Sequence, residues 1–224
     1  DKMGADFYMS VKSIHDRLSP NAVAIQLPIG TESEFKGVID LVTRKAYTFE
    51  GKSGETMVEI DVPTDMADKM EEYREIMIEK AAEYDDGVME KYIGGEDISE
   101  EEIKKALRKG VCSAELFLVM CGTALQNIGV QLVLDAAIDY LPSPLDVPAI
   151  TGTNPKTEEV IVAKPDDNEP LAAIMFKVAT DPFVGKLCFF RVYAGKMSSG
   201  SYIYNPRTGK KERVGRIVQM HANS

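Results

Sequence analysis

Apolar residues recur along this chain with two periods, helical in the first two-thirds and strand-like towards the end. At the centre, Leu116-Phe117-Leu118-Val119-Met120-Cys121 is a continuous apolar run, the pattern of a strand covered on both faces in a parallel sheet. Val130, Val133, Leu134, Ala137, Ile138 and Leu141 then fall on one helical stripe, which Pro142 ends. The small, polar residues Gly122 to Asn127 lie between them as a loop at the carboxyl end of a strand. Open α/β sheets place ligands there.

Before this centre, Phe7, Val11, Ile14 and Leu18 predict a helix, broken by Ser19-Pro20-Asn21. Val23, Ile25 and Leu27 alternate as a short strand ending near Pro28 and Gly30. Helix, strand, strand and helix make half of a doubly wound sheet, so the chain is expected to be cut from a larger protein. Between these halves the pattern changes. Residues 35–42, 46–49 and 56–62 predict a small antiparallel meander, with Gly51-Lys52-Ser53-Gly54 as a turn. This Gly-Lys-Ser is not a phosphate loop. Ala46 stands where the first glycine of GxxxxGK[ST] belongs, and no helix follows to point its amino end at a phosphate.

Residues 63–110 read as helical. Thr64 or Asp65 can cap a long helix whose inner side carries Met66, Met70, Tyr73, Met77, Ala81 and Tyr84. Asp68, Glu72, Glu75 and Glu79 share another face, where like charges destabilise an isolated helix by a few tenths of a kcal/mol per pair. A second helix ends at Gly94-Gly95. Ser99 with Glu102 offers a capping box for a third, running to Gly110. After the proline-rich connector 141–148, residues 151–170 are polar and predict a linker. From Leu171 the period is two. Strands 171–178, 187–194, 201–205 and 213–220, separated by glycine turns, predict an unfinished β-barrel.

Charge and composition add to this picture. The net charge is −10, yet residues 64–110 hold 15 acidic and 8 basic side chains, while residues 171–224 hold 2 and 9. An acidic lobe and a basic lobe on one chain suit two partners of opposite charge. Cys112, Cys121 and Cys188 are odd in number and form no CxxC, which fits a reduced compartment. His15 and His221 lack partners at metal-ligand spacing, so no zinc site is expected. No apolar run approaches the ~20 residues of a membrane span, and no signal-peptide pattern opens the chain.

Several stretches together resemble bacterial elongation factor G along the whole chain. They are Asp1-Lys2-Met3-Gly4-Ala5-Asp6-Phe7, Gln26-Leu27-Pro28-Ile29-Gly30, Phe35-Lys36-Gly37-Val38-Ile39-Asp40-Leu41 and Met89-Glu90-Lys91-Tyr92-Ile93-Gly94-Gly95. Further on come Asp139-Tyr140-Leu141-Pro142-Ser143-Pro144-Leu145-Asp146-Val147-Pro148, Ala179-Thr180-Asp181-Pro182-Phe183-Val184-Gly185 and Gly215-Arg216-Ile217-Val218-Gln219-Met220-His221-Ala222-Asn223.

The resemblance implies a multidomain fold, α/β followed by β. Residues 1–34 would end a P-loop GTPase domain, 35–115 would be its inserted α+β G′ subdomain, and 116–150 would supply its last strand, guanine loop and helix. Residues 151–170 would link it to a translation-factor β-barrel starting at 171. It also implies the GTPase that drives tRNA–mRNA translocation on the ribosome, a cytoplasmic monomer that binds GTP or GDP with Mg²⁺. Asp1 aligns with the last residue of the family's Asn-Lys-x-Asp motif, and its carboxylate would accept from guanine N1–H and the N2 amine. Gly122, Thr123, Ala124 and Leu125 align with the guanine loop, Thr123 replacing the family's Ser, with the Ala124 N–H donating to guanine O6. The acidic stripe Asp68, Glu72, Glu75 and Glu79 would face the lysine-rich ribosomal stalk protein. Lys186, Arg191, Lys196, Arg207, Lys210, Lys211, Arg213 and Arg216 would face rRNA. Phosphate loop, switches and Mg²⁺ ligands are absent from the sequence, so no catalytic residue is assigned and this chain by itself is expected to be inactive and to hold no nucleotide. A ribosome-protection, recycling or release GTPase, or a docking module without nucleotide, remain alternatives.

Overall fold

The computed structural model describes residues 1–154, 157–181 and 185–219, and the chain divides into two units, Asp1–Pro142 and Ser143–Ser224. The first runs α1 (Phe7–Arg17), β1 (Ala22–Ala24), β2 (Gln26–Ile29), β3 (Gly37–Asp40), β4 (Lys45–Glu50), β5 (Thr56–Ile60), α2 (Ala67–Ala82), α3 (Asp86–Gly94), α4 (Glu100–Cys112), β6 (Phe117–Val119) and α5 (Val130–Tyr140).

One buried run, residues 22–29, serves two sheets. β1 pairs in parallel with β6, and β2 pairs antiparallel with β3 in a four-stranded sheet of order β2-β3-β4-β5. Ile25 sits at the switch, its N–H donating to Val119 O while its carbonyl accepts from Leu41 N. Pro28 is tolerated inside β2 because the strand lies at the sheet edge and needs no second partner. Both sheets and the helices share one core, in which Leu27, Ile39, Leu41, Met77, Ile103 and Leu107 are fully buried. Each such side chain contributes about 1.5–3 kcal/mol by leaving water.

The helices follow their sequence signals with two corrections. Thr64 and Asp65 do not cap α2. They lie in a short 3₁₀ turn, and no side chain caps the helix at Met66. Met70, Met77 and Ala81 are buried as their spacing predicts, but Arg74 is buried with them and donates through Nη1 to the carbonyls of Leu41 and Val42. The apolar stripe of α5 is the second correction. Val133, Leu134, Ile138 and Leu141 are 45–77% exposed, while Leu132, Ala136 and Tyr140 pack inward. The helix rests on α4 through its other side, where Lys104 pairs with Asp139 at 2.8 Å. The stripe is apolar but has no cover among the described residues. β6 shares this condition. It is shorter than the apolar run that encodes it, and Phe117 is half exposed rather than covered on both faces.

Ser99 and Glu102 form the capping box. Ser99 Oγ accepts from Glu102 N at 3.3 Å, and Glu102 Oε2 accepts from Ser99 N at 3.0 Å. Glu102 also pairs with Lys91 of α3 at 2.6 Å. Lys91 first, then the Ser99 amide and hydroxyl, hold this carboxyl down from its ordinary 4.5 to about 2. A depressed folded pKa gives stability that is whole above 4.5 and is lost as pH falls towards 2. Glu102→Gln is therefore expected to lower stability near pH 6 and to match the wild type near pH 2. Urea midpoints measured across that range check it, and a pH-independent gap would assign the loss to something other than the carboxylate.

The second unit holds β7 (Ile150–Thr153), β8 (Val160–Ala163), β9 (Ala172–Asp181), β10 (Gly185–Ala194), β11 (Tyr202–Asn205) and β12 (Lys210–Arg213). They form three antiparallel pairs, β7-β8, β9-β10 and β11-β12. The polar segment expected as a linker thus contains a hairpin, since Val160-Ile161-Val162 supplies β-branched pairs to Ile150–Thr153 despite the polar residues around it. The last strand is also displaced. Lys210–Arg213 pairs with β11 because the Arg207-Thr208-Gly209 turn sets that register, and residues 214–219 carry no regular element. Met220, the expected end of that strand, lies outside the described residues. No described helix is long and apolar enough to cross a membrane.

Candidate functional site

The site is built where three chain segments meet at the carboxyl ends of β1 and β6. Strand β6 ends at Val119, and the loop that follows closes on itself. Thr123 is buried and exchanges backbone bonds with Ile128 at 2.9 and 3.1 Å, while Asn127 N donates to Ala124 O at 3.3 Å. Asn127 adopts φ +57°, which Asn tolerates better than most residues. The loop projects Ala124 and Leu125 to solvent, and among the described residues the Ala124 N–H has no hydrogen-bond partner. It is free to donate to a ligand.

Asp1 lies beside this loop. Gln126 Nε2 approaches Asp1 Oδ2 at 3.5 Å, the outer limit of a hydrogen bond. The structure so brings together Asp1 and residues 122–126, which stand more than a hundred positions apart in the chain. A carboxylate and an outward N–H on one rim can bind a planar heterocycle that offers two donors and one acceptor. Guanine is such a base. The Gly51–Gly54 turn joins β4 to β5 and aims no helix at a phosphate.

A cavity of about 350 Å³ adjoins the rim, lined by Asp1, Phe7, Gly30, Phe35, Cys121 and Gly122 among others. A larger one, about 620 Å³, lies wholly in the second unit and touches none of the residues of this rim. Burial pushes the Cys121 thiol up to about 12, so this partly buried cysteine under the loop is a weak nucleophile. Sequence reasoning missed three supports. Gln26 is fully buried and its Oε1 faces Cys121 N at 3.4 Å, Gln126 reaches Asp1, and Gly54 O accepts from Asn127 Nδ2 and Gln131 Nε2 at 3.3 and 3.0 Å. Polar residues in such roles look like surface in a sequence. Only the positive φ of Asn127 and Gly54 had a local signal, in their residue types.

The charged candidates lie elsewhere. Asp68, Glu72, Glu75 and Glu79 are all exposed on α2, and none of them has an ion-pair partner among the described residues, whereas Glu71 beside them pairs with Arg44 at 3.4 Å. Exposed Ile76 stands in the middle of the stripe. In the second unit Lys186, Arg191, Lys196, Lys210, Lys211, Arg213 and Arg216 are exposed. Lys196 pairs with Asp167 at 2.9 Å, and Arg191 lies over the Tyr193 ring at 5.5 Å. On β12, Lys211 and Arg213 face Tyr204 and Tyr202 across the pair, while Lys210 faces Asn205 on the opposite side.

Residues 185–224 match the family described as Elongation factor Tu domain 2. The carboxyl end of this chain is therefore similar to a domain of translation factors. A crystal structure of a protein from Thermus thermophilus is similar over 94% of this chain, with 26% sequence identity and a TM-score of 0.72. The chain spans 28% of the length of that protein. In chain order, a mixed α/β unit precedes the strand-rich segment that matches this translation-factor domain.

Proposed function

We propose that this chain is part of elongation factor G, the GTPase that moves tRNA and mRNA through the bacterial ribosome. The observation that carries the reading is the match of residues 185–224 to a translation-factor domain, following in the chain a unit in which Asp1 meets the Gly122–Gln126 loop. Residues 1–34 and 116–150 end the G domain, 35–115 form its G′ insert, and the strands from 171 belong to domain II. The exposed apolar stripe of α5 supports this reading, because the rest of a GTPase sheet would cover it. The base is held by Asp1 and the backbone of Gly122, Thr123, Ala124 and Leu125. When bound, the triphosphate and Mg²⁺ supply the bond that is cleaved and the charge that stabilises its cleavage. The residues of this chain only select and orient the base.

The insert presents Asp68, Glu72, Glu75 and Glu79 to the basic stalk protein, and the cations of the second unit meet rRNA phosphates. The full-length protein is expected to hydrolyse GTP and translocate on ribosomes, whereas this chain alone does neither and binds GDP more weakly than micromolar. Ribosome-stimulated turnover and titration calorimetry check both, and absence of turnover in the full-length protein would sink the reading. Changing Glu72 and Glu75 to Lys is expected to lower ribosome-stimulated turnover most at low salt, where exposed charges are least screened, with ribosome-free GDP binding unchanged. Full stimulation after that reversal would make the stripe a solvated face.

A further inference from the structure

The insert is part of the base site. We infer that the β4–β5 turn of the insert, through Gly54, is the stop that holds the base-reading loop in shape, so that Gly54, Asn127 and Gln131 are positioning residues for the base. The inference rests on the proposed reading of that loop as the guanine loop.

Two observations at different places carry it. The first is the docking of the turn itself. Gly54 is buried although both sides of its turn are exposed, and its carbonyl accepts from the side chains of Asn127 and Gln131. A Cβ added at Gly54 would meet the carbonyl oxygen of Gln126 at 2.5 Å, and the residue sits at φ +59°. Only glycine allows this approach and this conformation together. The second is a small core beneath the loop, separate from the main one. Phe35 and Val38 of the insert pack with Ile128, and Phe49 of β4 joins them with Cys121 and Leu132. The loop thus has an insert sheet as its floor and an insert turn against its side.

The consequence reaches the base through one step. The Gln126 carbonyl occupies the space that a Cβ at residue 54 would need, and its side-chain amide is directed at Asp1. A turn that is displaced frees residues 126 and 127, and Asp1 loses the neighbour that orients its carboxylate. Base affinity and base selectivity then fall together. Contacts made to the phosphates are not affected, because nothing in this contact set points to them.

The test uses the full-length protein. GDP and IDP dissociation rates are measured for the wild type and for Gly54→Ala, Gln131→Leu and Lys52→Ala, each with a melting curve. IDP lacks the 2-amino group that Asp1 would accept from. Gly54→Ala is expected to release GDP at least about tenfold faster, from the close contact and the positive φ combined. Gln131→Leu, which removes one hydrogen bond and keeps the shape, is expected to do so roughly threefold to tenfold. Both are expected to shrink the GDP-over-IDP preference and to leave the GDP-to-GTP affinity ratio as it was. Lys52→Ala, at the exposed tip of the turn, is expected to change nothing. If Gly54→Ala fails to fold, Gln131→Leu decides. Wild-type release rates and base preference in a folded Gln131→Leu or Gly54→Ala protein would overturn the inference and leave the proposed function standing. A wild-type protein with no preference for guanine would overturn both.

Discussion

Replacing Asp1 by Ala in the full-length protein is expected to weaken GDP binding by on the order of a hundredfold to ten-thousandfold. On the proposed reading the carboxylate would accept from two donors of guanine, and hydrogen bonds to a charged group contribute about 1.5–3 kcal/mol each. Two of them amount to about 3–6 kcal/mol, and about 1.4 kcal/mol is tenfold in affinity. The loss should be selective. Adenine nucleotides, which lack both donors, should bind the variant no worse than they bind the wild type, because a site built to pair with polar groups discriminates mainly through the partner left unpaired. IDP keeps one of the two donors, so its affinity for the wild type should lie between those of GDP and ADP. Equilibrium titration with the three nucleotides checks the ordering. Undiminished GDP affinity in Asp1→Ala would remove Asp1 from the site, and its neighbour Gln126 with it.

The largest expected effect on stability is at Arg74. Its guanidinium lies in the core of the first unit, 5% exposed, where Nη1 bridges the carbonyls of Leu41 and Val42 at the end of β3. Burial first, with Arg44 beside it, draws its pKa below the usual range, while Glu71, Asp97 and Glu100 oppose that shift. Arginine stays charged through such changes. The residue therefore acts as a charged clamp between α2 and the β3–β4 turn, and Asp40 braces the same turn by accepting from Val42 N and Thr43 N at 2.8 and 3.0 Å. Arg74→Met fills much of the volume but leaves two buried carbonyls unpaired, at about 1–3 kcal/mol each. The expected loss is about 2–5 kcal/mol, read as a fall in the urea midpoint with the slope unchanged. Arg74→Lys should recover part of it, since an ammonium carries enough N–H donors for both carbonyls but sits on a side chain of different length and shape. A loss below about 0.5 kcal/mol in Arg74→Met, the range of ordinary surface changes, would show that the carbonyls find water instead.

Much of the local structure was legible in the residues themselves. The capping box at Ser99 and Glu102, the left-handed Gly95 that ends α3, and the spacing of Met70, Met77 and Ala81 all encode nearest-neighbour geometry, which a few consecutive residues determine. The meander and the strand–loop–helix at the centre were legible for the same reason. Periodicity reports which face of an element is apolar. It does not report what lies against that face. The stripe of α5 is as apolar as its sequence says and is nonetheless exposed, because the helix settles on α4 with its other side. The hairpin β7–β8 lay hidden in a polar segment because its strands are four residues each, too short for a period to stand out from Pro, Asp and Glu around them. The clearest divide is at the site. A loop of small residues after a strand can be read from the sequence, and the resemblance attached Asp1 to it. That Asp1 approaches Gln126, that Gln26 supports the loop's entry, and that Gly54 of a distant turn closes its side are contacts between residues 72 to 125 positions apart. Such pairs belong to the assembled fold, in which the run from Ala22 to Ile29 joins both sheets, and no local interaction distinguishes a buried glutamine or glycine from an exposed one.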